Sequence, residues 1–184
     1  MLGKHLVKGV KRKMKAKDKA NWHVKVLCQK YHEDITPWQI LGMEREFYEL
    51  FEPYETIERE GNLLLNEGIN NMWTLICGGS ATAYNNANAR IGVGNSNTAA
   101  VATQTALQGA NTAFHAMDTS YPTYGTSQYA IFKSSFGDSE GNFAWEEWTV
   151  DNGATANLNM NRKVESLGTK TGGTWSLQVT ITLS

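Results

Sequence analysis

Cysteine is scarce in this chain. Two residues, Cys28 and Cys77, in 184 can build neither a disulfide framework nor a four-cysteine zinc site. Both are expected to be reduced, half-buried apolar side chains. No run of about 18 apolar residues occurs, so no membrane-spanning helix is expected. The charged first residues lack the apolar stretch of a secretory signal. The histidines are His5, His23, His32 and His115, and none is spaced with another His or a Cys as a metal pair. Charge is thin over most of the chain, with eight acids and five bases in residues 61–184. What remains is a globular composition. Hydrophobic residues make up 41% of the chain, and six Trp, seven Tyr and six Phe exclude a wholly disordered polypeptide. The length suits one ordinary domain with an extension, or two small ones.

The net charge of −1 hides strong segregation. Residues 1–30 carry ten Lys or Arg against Asp18 alone, and residues 31–60 carry nine acids against Arg45 and Arg59. In the basic arm, Leu2, Leu6, Val10 and Met14 recur every four residues around the Lys11-Arg12-Lys13 cluster. That spacing is a narrow helical stripe, weakened by Gly3 and Gly9. Such an arm can be a solvated tail, can lie on nucleic acid or an anionic membrane surface, or can dock on an acidic protein surface. The acidic stretch at 31–60, of this copy or a neighbour, favours the last reading. The shortage of bases after residue 61 speaks against nucleic acid. Leu2, Leu6, Val10, Lys11, Arg12, Lys13, Met14, Trp22 and Trp38 are the candidate partner-binding residues, since exposed ion pairs contribute only about 0–1 kcal/mol each and apolar anchors must supply most of the grip.

Periodicity predicts several elements. Trp22, Val24, Val26 and Cys28 alternate with polar neighbours as a strand does. Thr36-Pro37-Trp38-Gln39 reads as a capping box with proline at the first helical position. It opens a helix over 37–51 with Ile40, Phe47 and Phe51 on one stripe and Glu44, Glu46 and Glu49 facing out. Leu65, Ile69, Met72, Trp73 and Ile76 predict a second helix ended by Gly78-Gly79, with Gly68 costing it about 1 kcal/mol relative to alanine. Residues 91–112 read as a strand followed by a long loop or short helix. Trp145 and Trp148 fall in different strand registers, which hints at a bulge near Glu146-Glu147. Trp175, Leu177, Val179, Ile181 and Leu183 form the clearest strand. Together these predict a mainly β chain: an antiparallel sandwich or jelly roll with one or two helices over 61–184, preceded by an arm-plus-helix segment over 1–60. Trp145, Trp148 and Trp175 are its expected core or oligomer aromatics.

Catalytic patterns are missing. Ile91-Gly92-Val93-Gly94 lacks the third glycine or lysine of a phosphate loop. Glu146 and Glu147, flanked by tryptophans, point to opposite faces of a regular strand and cannot form a facing glycosidase pair without the bulge, so they read as polar edges of an aromatic core. Ser166 and Ser176 have no positioned histidine base. Asp138-Ser139-Glu140-Gly141 has too few acids at the right offsets for a calcium loop. No catalytic residue, metal site or cofactor is expected.

Over residues 61–184 the order of motifs resembles a family of tailed-bacteriophage virion structural proteins. The segments are Asn62-Leu63-Leu64 with Gly68-Ile69 and Trp73, then NARIGVGNSNTAA, TQTALQGA, Tyr121-Pro122, FGDSEGNFAWEEW and NRKVESLGTKTGGTWSLQVTITLS. The resemblance implies a place in a particle rather than a reaction. The role would be capsid decoration (cement) on the outer surface of the virion, or a fibre-like module of head or tail tip that adheres to host glycans. The implied partners are the major capsid protein or other virion subunits, and further copies of the chain itself as a homo-oligomer, a trimer before other states. The two roles differ over Trp145, Trp148 and Trp175, which are buried core in the first and exposed sugar platforms in the second.

Overall fold

The two most regular alternations in the sequence, one near each end, meet as neighbouring strands. The computed structural model describes residues 21–154 and 158–184. In chain order its elements are β1 (Trp22–Tyr31), α1 (Thr36–Leu41), α2 (Glu44–Leu50), β2 (Glu55–Glu60), β3 (Leu63–Leu64), α3 (Asn66–Ile76), β4 (Arg90–Gly94), β5 (Thr112–Ala116), β6 (Thr123–Tyr124), β7 (Tyr129–Phe136), β8 (Ala144–Asp151), β9 (Asn161–Thr169) and β10 (Thr174–Leu183). β1 runs antiparallel to β10 in unbroken register from Trp22 opposite Leu183 to Tyr31 opposite Thr174. The chain is a β-sandwich of two antiparallel five-stranded sheets, ordered β2-β1-β10-β7-β6 and β3-β9-β8-β4-β5.

Period-two alternation buries one side chain in two between the sheets. Val24, Val26 and Cys28 from β1, Phe132 and Phe136 from β7, and Trp175, Leu177, Val179 and Ile181 from β10 meet Ile91, Val93, Trp145, Trp148, Val150 and Leu167 from the second sheet. Trp145 sits edge-on to Phe136 at 4.9 Å and to Trp175 at 5.0 Å between ring centroids, a geometry that the ring quadrupoles favour. Burial here pushes the Cys28 thiol up to about 12, so it is an apolar packing group. Cys77 is exposed. Trp145 and Trp148, three apart, both reach the core because the β8–β9 register shifts between Trp145 and Glu147. The bulge hinted at by the sequence is there. Leu183, assigned to the apolar face, is instead largely exposed where β10 ends.

The expected boundary at residue 60 does not separate two units. β1 and β2 are both strands of the first sheet, paired from Lys25–Glu60 to Lys30–Glu55, with α1 and α2 inserted in their connection. Nor is 37–51 one helix. The chain breaks at Gly42, whose φ is +66°, and Ile35 rather than Thr36 holds the N-cap position without a side-chain cap. Gln39 Nε2 donates to Ser135 O at 2.9 Å instead of closing a capping box. The reason is packing. In one continuous helix, positions 38 and 47 lie about 180° apart at ~100° per residue, whereas 40 and 47 share a face. Breaking at Gly42 turns Trp38 towards Phe47 and Phe51, at 6.4 and 6.2 Å between centroids. It sends Ile40 outward, where it is 80% exposed.

α3 matches its expected span, but its apolar stripe is split. Trp73 is 61% exposed and Ile76 more so, because Gly68 and Asn71 make up the buried side. Gly68 is there for close approach. A Cβ at this position would lie 2.6 Å from Met160 Cα, with Met160 O nearer still. Gly68→Ala is therefore expected to destabilise the fold by about 1–3 kcal/mol through overpacking, despite alanine's better helix propensity. Thermal denaturation checks this, and an unchanged midpoint would show that α3 is not seated on the Met160 backbone.

Candidate functional site

The outward face of the second sheet is polar and yet buried. Past the bulge, Glu147, Thr149 and Asp151 of β8 point away from the core, and each has essentially no exposed surface. The loop between β4 and β5 covers this face. Arg162 Nε donates to Glu147 Oε2 at 2.6 Å, and neither side chain is exposed. The same carboxylate accepts the backbone N–H groups of Gln108 (2.8 Å) and Gly109 (2.7 Å). The Arg162 fork reaches Gln104 Oε1 and Thr98 O at 2.9 Å each. Asp151 holds Arg90 through two bonds of 3.0 and 2.7 Å, and Thr149 Oγ1 donates to Asn161 O at 2.6 Å. The sequence marks Glu147 only as one of two adjacent carboxylates between tryptophans. Only its position past a bulge, with Arg162 on the neighbouring strand, could have flagged it. Asp138, in the turn rejected as a calcium loop, accepts Gly173 N at 2.7 Å, and the Lys170 ammonium donates to Gly137 O at 2.7 Å in that same turn. Among the described residues no three His, Cys, Asp or Glu side chains group as metal ligands.

Trp145, Trp148 and Trp175 are all buried in the core and form no surface platform. Leu2, Leu6, Val10, Lys11, Arg12, Lys13 and Met14 lie outside the described residues. Trp22 and Trp38, proposed with them as anchors, are half-buried and already engaged. Trp22 Nε1 donates to Asn62 Oδ1 at 2.7 Å and its ring packs on the main core. Trp38 packs on the smaller cluster of Tyr31, Ile35 and Phe47. Trp22 also lines an apolar groove of about 480 Å³ at one end of the sandwich, with Met72, Tyr129, Phe132, Met160 and Ile181.

Two surfaces offer grip. On the helical insertion, Ile40, Leu41 and Leu50 are exposed among carboxylates. Glu49 pairs with Arg45, Glu55 with Lys30 and Glu58 with Lys25, while Glu46, Glu52 and Glu60 have no ion-pair partner among the described residues. Near the apolar groove, Tyr124 and Leu183 are exposed as well.

Beneath α2 lies a compact polar cluster. Asp118 Oδ2 accepts from Ser135 Oγ at 2.7 Å and from Tyr48 OH at 3.2 Å, and Tyr48 OH also bonds Ser135 Oγ. The Lys133 ammonium rests on the Tyr48 ring, 3.3 Å from its centroid, a cation–π contact. Burial pushes the Asp118 carboxyl and the Tyr48 phenol up and the Lys133 ammonium down to about 8, with Asp118 only partly opposing that shift. None of these four residues stood out in the sequence, because they are brought together from α2, β7 and the segment after β5.

No family model, no curated protein and no solved structure matches the chain.

Two outcomes are expected from these buried charges. Glu147→Gln leaves the Arg162 cation buried and under-compensated, which costs about 3–5 kcal/mol. The double variant Glu147→Gln/Arg162→Met should recover part of that loss in urea unfolding, and a single-variant loss below about 1 kcal/mol would show the pair to be solvated. The second outcome concerns pH. Between about 8 and the ordinary 10.5, folded Lys133 binds fewer protons than the unfolded chain. Its contribution therefore makes stability rise with pH across that interval and is constant below it. Wild type should gain stability over Lys133→Met between about pH 8 and 9.5, and equal pH slopes would contradict a buried amine.

Proposed function

We propose that the protein is a non-enzymatic structural component of a tailed-phage virion: a capsid decoration, or cement, protein on the outer surface of the particle. In this reading the sandwich is a rigid block. The basic arm ties it to acidic surfaces of neighbouring subunits, either the major capsid protein or further copies of the chain in a homo-oligomer, with a trimer favoured. The observation that carries the reading is charge separation within one polypeptide. Ten bases in residues 1–30 are followed in sequence by nine acids in residues 31–60, and Glu46, Glu52 and Glu60 have no ion-pair partner among the described residues. Exposed pairs contribute little singly, so the apolar stripe Leu2, Leu6, Val10 and Met14 supplies the anchors. Ile40, Leu41 and Leu50 on the helical insertion are matching seats for them. The motif order over 61–184 supports a virion setting. Its segments supply Glu147, Arg162 and Lys170, which fasten loops rather than perform chemistry.

The alternative, a fibre or tail-tip module gripping host glycans, was tied to Trp145, Trp148 and Trp175 as platforms. With those rings inside the core, such adhesion needs other residues.

Particle stability tests the proposal. Particles that carry the protein without residues 1–20 should lose tolerance of heat and low salt to the same degree as particles lacking it altogether. Truncated-protein particles as robust as complete ones would refute the cement role.

A further inference from the structure

The apolar face of β10 outruns the layer that covers it. Ile181 and Leu183 continue the alternation of Leu177 and Val179, yet Ile181 is 6% exposed and Leu183 is 55% exposed. Trp22 lies opposite Leu183 across the β1–β10 ladder. Both line the apolar groove of about 480 Å³, together with Met72, Tyr129, Phe132 and Met160, and no charged side chain lines it. Apolar surface gathered in one open groove is unfavourable in water and marks a place that something covers. The chain that precedes β1 departs from this spot. Asn21 N donates to Ser184 O at 2.6 Å and Ser184 N donates to Asn21 O at 3.0 Å. These two bonds hold the root of residues 1–20 at the rim of the groove, next to Trp22 and Leu183.

We infer that the groove is the seat of the chain's own arm, and that Val10 and Met14 fill it. Met14 precedes Trp22 by eight residues. That length reaches roughly 25 Å, enough to double back over the groove from its rim. Val10 and Met14 are four apart, the spacing that puts two side chains on one face of a helical repeat. A segment tethered so closely acts at an effective concentration in the millimolar range, so a modest apolar contact suffices to seat it. The absence of charge in the lining suits these two residues, while the lysines beside them keep their ammonium groups in water. The charge next to the groove is also of the right sign. Glu60, with no ion-pair partner among the described residues, lines an adjoining depression with Trp22, and the bases between Met14 and Asn21 are Lys15, Lys17 and Lys19. The inference builds on the reading of the arm as a tether and gives that tether a root. Two anchors seat on the chain's own sandwich, which leaves Leu2 and Leu6 for a neighbour.

Cysteine pairing in the full chain tests this without particles. In a Cys77→Ser background, with Cys28 buried, Met14→Cys and Leu183→Cys are introduced together and oxidised mildly at low protein concentration. The expected product is a monomer closed by an internal disulfide. Adding Val10→Asn should slow closure about tenfold, whereas Lys8→Asn should leave the rate within about twofold. An arm that merely sweeps past the groove would respond to neither. In NMR spectra of the unmodified chain, deleting residues 1–20 should shift the signals of Ala130 and Ile181 in the groove and leave those of Ile91 and Val93 in place. No closure, closure indifferent to Val10→Asn, a product linked between two chains, or groove signals unmoved by the deletion would overturn the inference. Particle stability is a separate readout, so the cement role and the seat of the arm fail independently.

Discussion

The buried ion pair of Glu147 and Arg162 governs how this sandwich is finished. Two opposite charges removed from water must satisfy every remaining donor and acceptor locally. Here that demand is met by one loop. Two backbone N–H groups from Gln108 and Gly109 complete the carboxylate, and the carbonyl of Thr98 and the amide of Gln104 complete the guanidinium. The pair therefore fixes where the β4–β5 connection lies. Through that loop it covers Glu147 on the outward face of β8. The bulge beside Glu147 belongs to the same arrangement. It lets Trp145 and Trp148 both enter the core while Glu147 points the other way. One irregularity in the ladder serves a hydrophobic layer on one side and an ionic layer on the other.

The first sheet is completed differently. Its outer neighbour is the helical insertion between β1 and β2, which has a small aromatic core of its own and concentrates the chain's acidic side chains. Gly42 decides the shape of that insertion, because the turn there brings Trp38 edge-on to Phe47. The same turn leaves aliphatic side chains outside. Ile40, Leu41 and Leu50 are exposed there, on the same insertion as Glu46 and Glu52, which have no ion-pair partner among the described residues. Under α2, the cluster around Asp118 and Lys133 is polar where the insertion's outer side is apolar, so the two sides of one short helix serve different chemistries.

Much of the sandwich was legible in the sequence, because alternation reports directly on contact with a core. β10 and β1 were read from it, and so was the bulge, since Trp145 and Trp148 cannot both face inward on a regular strand. α3 was placed correctly by its spacing. The faces of the helices were misread. An apolar stripe shows which residues could be buried on a continuous helix, not whether the helix continues. Gly42 broke one helix, and a glycine contact with Met160 reoriented the other. The polar face of the second sheet left no periodic trace. Glu147 and Gln108 are 39 residues apart in sequence, and a hydrogen bond from a loop imposes no pattern on the strand it reaches. The Asp118 cluster was hidden for the same reason, being assembled from α2, β7 and a connecting segment.

The placement of β1 has a mechanical corollary. It is the second strand of its sheet, flanked along its length by β10 and over six of its positions by β2. A pull on the residues before Asn21 enters the molecule along this strand. Its ladder hydrogen bonds run across that direction, so the load is carried in shear by many bonds at once rather than peeled from an edge one by one.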